Sequence, residues 1–148
     1  TQTLVAGAGV FEASCAPTPG KELVYAVPVP AEGKWDLIAS TAVSGVAANV
    51  DTVLSIRSTC ADANTELSCN DEASPQRDSR SIVAAEVSGG GNAYVVADYY
   101  GGIQTGQVRF NIQFTLRPVL PTGATCDKDQ RLNRCERAYC NVDTLKCP

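Results

Sequence analysis

Seven cysteines and no histidine define the chemistry open to this 148-residue chain. Without histidine there is no Ser-His or Cys-His pair, and no lysine stands in an S-x-x-K setting, so the usual activated nucleophiles are missing. Paired carboxylates suffice for glycoside hydrolysis, but a domain of this size carries some for other reasons. The expectation is a protein that is not an enzyme. With no CxxC pair and no imidazole, the cysteines read as disulfides of an oxidising compartment rather than as zinc ligands, so a secreted or cell-surface protein is expected.

Cys60 and Cys69 flank a short loop between two strand-like runs, which makes a Cys60–Cys69 bond the shortest closure the chain offers. Cys126, Cys135, Cys140 and Cys147 follow as C-x8-C-x4-C-x6-C, a pattern open to three connectivities. The interleaved one, Cys126 with Cys140 and Cys135 with Cys147, is preferred here. Cys15 is then left over. Two readings of it stand: a buried thiol acting as a small hydrophobe, or an intermolecular disulfide to a neighbouring module or second copy.

Among polar residues the densest group is Asp51, Asn70, Asp71 and Glu72. A hairpin closed by the 60–69 loop brings Asp51 towards the Asn70-Asp71-Glu72 run, and clustered oxygen donors suit calcium. The competing reading is that Asn70 and Asp71 make turn bonds while Arg80 neutralises a carboxylate. No other cofactor is implied. Tyr99 and Tyr100, beside Gly101 and Gly102, offer a ligand platform for a sugar ring, although adjacent strand residues point to opposite faces. Trp35 lies inside a strand pattern and is expected in the core. Lys128, Arg131, Arg134 and Arg137 read as a docking stripe or as a solvated surface neutralised by Asp127, Asp129 and Glu136.

The elements that must carry these residues are strands. Short runs rich in Val, Ile, Leu, Thr and Tyr alternate with Gly, Pro, Asn, Asp and Ser, and no segment sustains a helical period. Strands are predicted near 3–11, 22–29, 34–41, 50–57, 65–70, 80–87, 93–99 and 106–116. In the last, Val108, Phe110, Ile112, Phe114 and Leu116 share one face and polar residues the other. Turns are placed at Pro30–Gly33 and Gly89–Gly91. After Leu116 the prolines and glycine of RPVLPTG mark a boundary, and the cysteine-rich remainder is too small to hold a core without covalent staples. The expected class is all-β: a jelly-roll-like antiparallel β-sandwich over residues 1–120 and a disulfide-stapled tail over 121–148.

Residues 1–120 carry 7 basic and 12 acidic side chains. That balance disfavours nucleic acid and anionic membranes as partners, and no apolar run is long enough to insert into a bilayer. The chain contains no methionine, so it is expected to be a processed form or a fragment.

Between Gly20 and Leu116 the blocks ELVYAVPVPAEGKWDLIAST, DTVLSIRSTC, ELSCNDE and SRSIVAAEVSGGGNAYVVADYYGG follow one another in an order and spacing that resembles the bacterial pre-peptidase C-terminal domain. That family is a jelly-roll-like sandwich of secreted proteins. The resemblance implies a non-catalytic role in export, attachment or spacing. Some relatives bind calcium through acidic residues just before the strand that here starts at Glu22, the one acid of PTPGKE. The tail resembles small cysteine-rich repeats of exported proteins. Two functions are therefore expected to compete. One is a structural or interaction module that attaches to surfaces or assembles with its own copies, as in a filament or surface layer; the 3–11 strand completes its own sheet by default, and its exchange between copies is the alternative that would make such a subunit. The other is an accessory carbohydrate- or protein-binding module of a secreted hydrolase, assisted by calcium.

Overall fold

The computed structural model describes residues 1–74 and 78–148. Among the described residues ten strands follow in order: β1 Gln2–Val5, β2 Leu23–Pro28, β3 Lys34–Ser40, β4 Thr52–Arg57, β5 Glu66–Asn70, β6 Ile82–Ser88, β7 Asn92–Tyr99, β8 Gln107–Phe110, β9 Gln113–Leu120 and β10 Arg134–Cys135. Two four-stranded sheets pack together, one ordered β10-β9-β3-β6 and the other β2-β7-β4-β5, and β1 pairs with β8 as a separate ribbon. All pairings are antiparallel except β10 on β9. The protein is an all-β sandwich with a disulfide-stapled C-terminal appendage.

Period-two alternation turns Leu37 and Ala39 of β3, Leu54 and Ile56 of β4, Val83 and Val87 of β6, and Val95 and Ala97 of β7 into one buried core, joined by Phe110. Tyr25 of β2 meets Phe114 of β9 across the sheets, with ring centroids 5.2 Å apart and planes tilted by 55°. Burial pushes the Tyr25 hydroxyl up to about 12. Trp35 is half-buried against the core and donates its indole N–H to the Glu32 carbonyl at 2.9 Å. At one end of the sandwich Thr41 and Thr52 share a buried hydroxyl bond of 2.6 Å, and the Ser81 amide donates to both side chains.

Three expectations are corrected here. The 3–11 segment is a strand only to Val5. Gly7 has φ 142°, and a Cβ at Gly9 would collide with the Gly20 carbonyl, so the chain leaves the sheet where glycine lets it. The 106–116 strand divides at Asn111 and Ile112, where its partner changes from β1 to β3, and its second half continues through Pro118 to Leu120. Pro118 is tolerated because β9 borders only the two-residue β10 on its far side.

The third correction concerns the disulfides. Cys69 is bonded to Cys15, not to Cys60, and Cys60 is a free, half-buried thiol. In the β4–β5 ladder Cys69 stands opposite Ser55. Cys60 lies off the ladder, in the turn three residues beyond the end of β4 at Arg57. Cys15 lies 5.7 Å from Cys69 by Cα, and the bond between them is internal to the chain, which replaces both readings of Cys15, the buried free thiol and the intermolecular disulfide. On the chain-entropy model a loop of this length stabilises the fold by about 4 kcal/mol. β1 likewise pairs with β8 of its own chain, so the N-terminal strand completes the home fold.

Candidate functional site

The tail has a covalent core. Cys126 is bonded to Cys140 and Cys135 to Cys147, the interleaved pairing, and all four sulfurs are buried with Leu120 packed against them. Asp127 shapes the first loop by accepting from the amides of Leu132, Arg131 and Asp129, which holds its carboxyl below the ordinary range. With the cysteines occupying the interior, the apolar side chains of the tail face outwards. Leu132 is 76% exposed, Tyr139 82%, Val142 67% and Leu145 44%. Three of these lie in the seven-residue run 139–145, which the Leu145 amide folds back on itself by donating to the Asn141 carbonyl at 2.8 Å.

Arg134 fixes this unit to the sandwich. Its Nε donates to Asp36 Oδ2 on β3 at 2.7 Å and its Nη2 to Glu86 Oε2 on β6 at 2.8 Å. Arg117 of β9 donates to the same Asp36 oxygen at 2.7 Å, and its other amino group reaches the Gln130 carbonyl of the tail. Burial alone would raise the Asp36 carboxyl, but the two guanidinium groups outweigh it and hold the acid below its ordinary value. Lys34 adds bonds to Glu136 and Glu86. Of the expected basic docking stripe, Arg134 is therefore turned inward as an anchor, leaving Lys128, Arg131 and Arg137 on the tail.

The acidic group is partly assembled. Burial raises the Asp51 carboxyl, and the negative charges of Asp71 and Glu72 raise it further, so these three share one neighbourhood. Asn70 turns elsewhere: its Oδ1 accepts from the Ile82 amide at 3.2 Å and ties β5 to β6. Arg80 pairs with Asp78 at 2.7 Å and donates to the carbonyls of Val43 and Val46, so Asp78 is the carboxylate it neutralises. Tyr99 packs against the core while Tyr100 is 46% exposed, so the expected two-ring platform is a single ring.

A further polar site was not anticipated in the sequence. On the outer face of the β2-β7-β4-β5 sheet, Val53, Ser55 and Arg57 of β4 stand beside Asp98, Val96 and Tyr94 of β7, and five of these six are fully buried. What buries them is the loop 9–19, closed at its neck by the Ala8–Gly20 bridge and by the Gly9 amide on the Pro19 carbonyl. Arg57 donates to the Glu12 carbonyl at 2.7 Å and lies 5.0 Å from the ring centre of Phe11. Ser14 bonds Glu66, Cys15 bonds Cys69, and Gly101 donates to the Pro17 carbonyl at 2.8 Å. Burial raises Asp98 to about 6, against the Tyr99 amide and the Thr18 hydroxyl, which favour its ionised form, and with Glu22 adding repulsion. The unbroken apolar run Val95-Val96-Ala97 is the signal that this strand is covered on both faces.

No helix among the described residues is long and apolar enough to cross a membrane. No family model, curated protein or solved structure matches the chain.

Proposed function

We propose that this chain is a non-catalytic extracellular module with a structural or interaction role, joining its own copies or another surface through the outward face of its stapled tail. The observation that carries the reading is the apolar display of Leu132, Tyr139, Val142 and Leu145 on a unit whose interior is filled by disulfides and whose position is fixed by Arg134. Large apolar side chains left exposed together on a small unit mark an interaction surface, and a protruding tyrosine is a favoured anchor in one. Three disulfides support a site of action outside the cytoplasm. The resemblance of the sequence blocks to pre-peptidase C-terminal domains supports an exported, accessory role. Strand exchange is not the route of contact favoured here, because β1 and Cys15 are both engaged within the chain. Negative-stain microscopy with size-exclusion chromatography tests the reading: ordered assemblies support it, and a monomer at every concentration that binds no surface opposes it.

A second reading, the calcium-assisted accessory module, is favoured by the repulsion among Asp51, Asp71 and Glu72, which a bound cation would relieve, and by the exposed ring of Tyr100. Retention on insoluble polysaccharide that is abolished by a chelator would support it over the first.

A further inference from the structure

The loop 9–19 covers its sheet face through an interface unlike the rest of the interior. Arg57 Nε and Nη1, Ser55 Oγ and Asp98 Oδ2 are buried on this one face without a protein hydrogen-bond partner. Polar groups left unpaired in this way make docking weaker than an apolar contact of the same extent. The loop's own apolar hold is also thin: Ala16 and Thr18 are buried, but Glu12, Ser14, Cys15, Pro17 and Pro19 face solvent. Its strongest tie is the Cys15–Cys69 bond, whose Cys15 half is exposed, whereas the tail disulfides are enclosed.

We infer that residues 9–19 are a releasable cover, held shut by the Cys15–Cys69 bond, and that breaking this bond uncovers the Arg57–Ser55–Asp98 face while the sandwich stays folded. A dithiol reductant supplies the two electrons and two protons that convert the bond into two thiols, and is itself oxidised to a disulfide. The neck at Ala8–Gly20 remains as the hinge, because β1 stays paired with β8 and β2 with β7. Acidity acts on the same cover. Asp98 is faced by Thr18 from the loop, by uncharged Val53 from β4 and by Glu22 from the approach to β2, the one charged group that bears on it among the described residues. Burial beneath the loop disfavours the charge on Asp98 and Glu22 adds repulsion, so ionising Asp98 works against the closed cover.

The test compares wild type with the Cys15→Ser/Cys69→Ser variant by phenylglyoxal modification of Arg57, read by peptide mass spectrometry, with Trp35 fluorescence reporting the fold. At least tenfold faster modification of Arg57 in the variant, with unchanged Trp35 emission, is expected. A second measurement treats wild type with dithiothreitol at the lowest concentration that reduces Cys15–Cys69 and leaves both tail bonds intact, and the same acceleration is expected there. Protection of Arg57 unchanged in both would overturn the inference. So would loss of the native Trp35 signal in both, because the bond would then hold the whole sandwich rather than the loop.

Discussion

Arg134 of the tail and Asp36 of β3 are joined by a 2.7 Å bond from Nε to Oδ2, and the same carboxylate oxygen receives Arg117. One buried acid thus gathers two of the guanidinium groups at the junction between the two parts of the chain. Removing one of its two guanidinium partners leaves Asp36 undercompensated in a site that is only 6% exposed. Arg134→Ala is expected to destabilise the protein by about 2 kcal/mol in urea denaturation at neutral pH, with amide exchange rising across 124–148. A change within ~0.5 kcal/mol would show that the junction is held elsewhere.

Asp98 and Asp36 should respond to pH in opposite directions. The Asp98 carboxyl is raised in the folded state to about 6, so its contribution to stability is fully present below the ordinary carboxylate value and is lost as pH rises through about 6. The loss amounts to about 2 kcal/mol after allowance for residual screening. Asp36 is lowered, so its contribution is present above the ordinary value and is lost as pH falls through its folded one. Denaturation across pH 4–8, roughly the window set by the raised Asp98 carboxyl, should show stability declining towards pH 8. Asp98→Asn should flatten that decline, and Asp36→Asn should not.

Cys60 is the one free thiol among the described cysteines. Iodoacetamide without reductant should label Cys60 alone, and non-reducing peptide mapping should recover Cys15 linked to Cys69. Cys60→Ser should change stability by less than about 1 kcal/mol. A Cys60–Cys69 peptide would reverse the pairing and with it the account of the cover.

Asp51 sits where burial and two neighbouring acids oppose its charge. Asp51→Asn is therefore expected to raise the melting temperature at neutral pH in the absence of divalent ions. If calcium binds the cluster, millimolar calcium stabilises wild type in proportion to the logarithm of its concentration and leaves the variant unmoved. Thermal shift with and without chelator reads both effects.

The sandwich was legible because alternation is a local property: the apolar sets of β3, β4, β6 and β7 each fall on one side of a strand whatever the partner. Partners were not legible. Cys60 and Cys69 look adjacent along the chain, yet the ladder sets Cys69 opposite Ser55 and sends it outward to Cys15, 54 residues away. The tail pairing was accessible because four cysteines in a small unit leave few options. Arg57 reads as a surface charge by its residue type, and only the loop that crosses over it makes it interior. Gly7 and Gly9 do announce that the N-terminal run leaves its strand, but they do not say which face it will cover. The inward turn of Arg134 depends on Asp36 and Glu86, which are distant in sequence and meet only once β3 and β6 are paired.

The claim that the tail is an interaction face is tested most directly by sedimentation velocity of wild type beside the Tyr139→Ser/Val142→Ser variant over a wide concentration range. The account predicts that wild type associates as concentration rises and that the variant, with the same fold and disulfides, stays monomeric. Identical monomeric boundaries for both at every concentration would contradict assembly through this face.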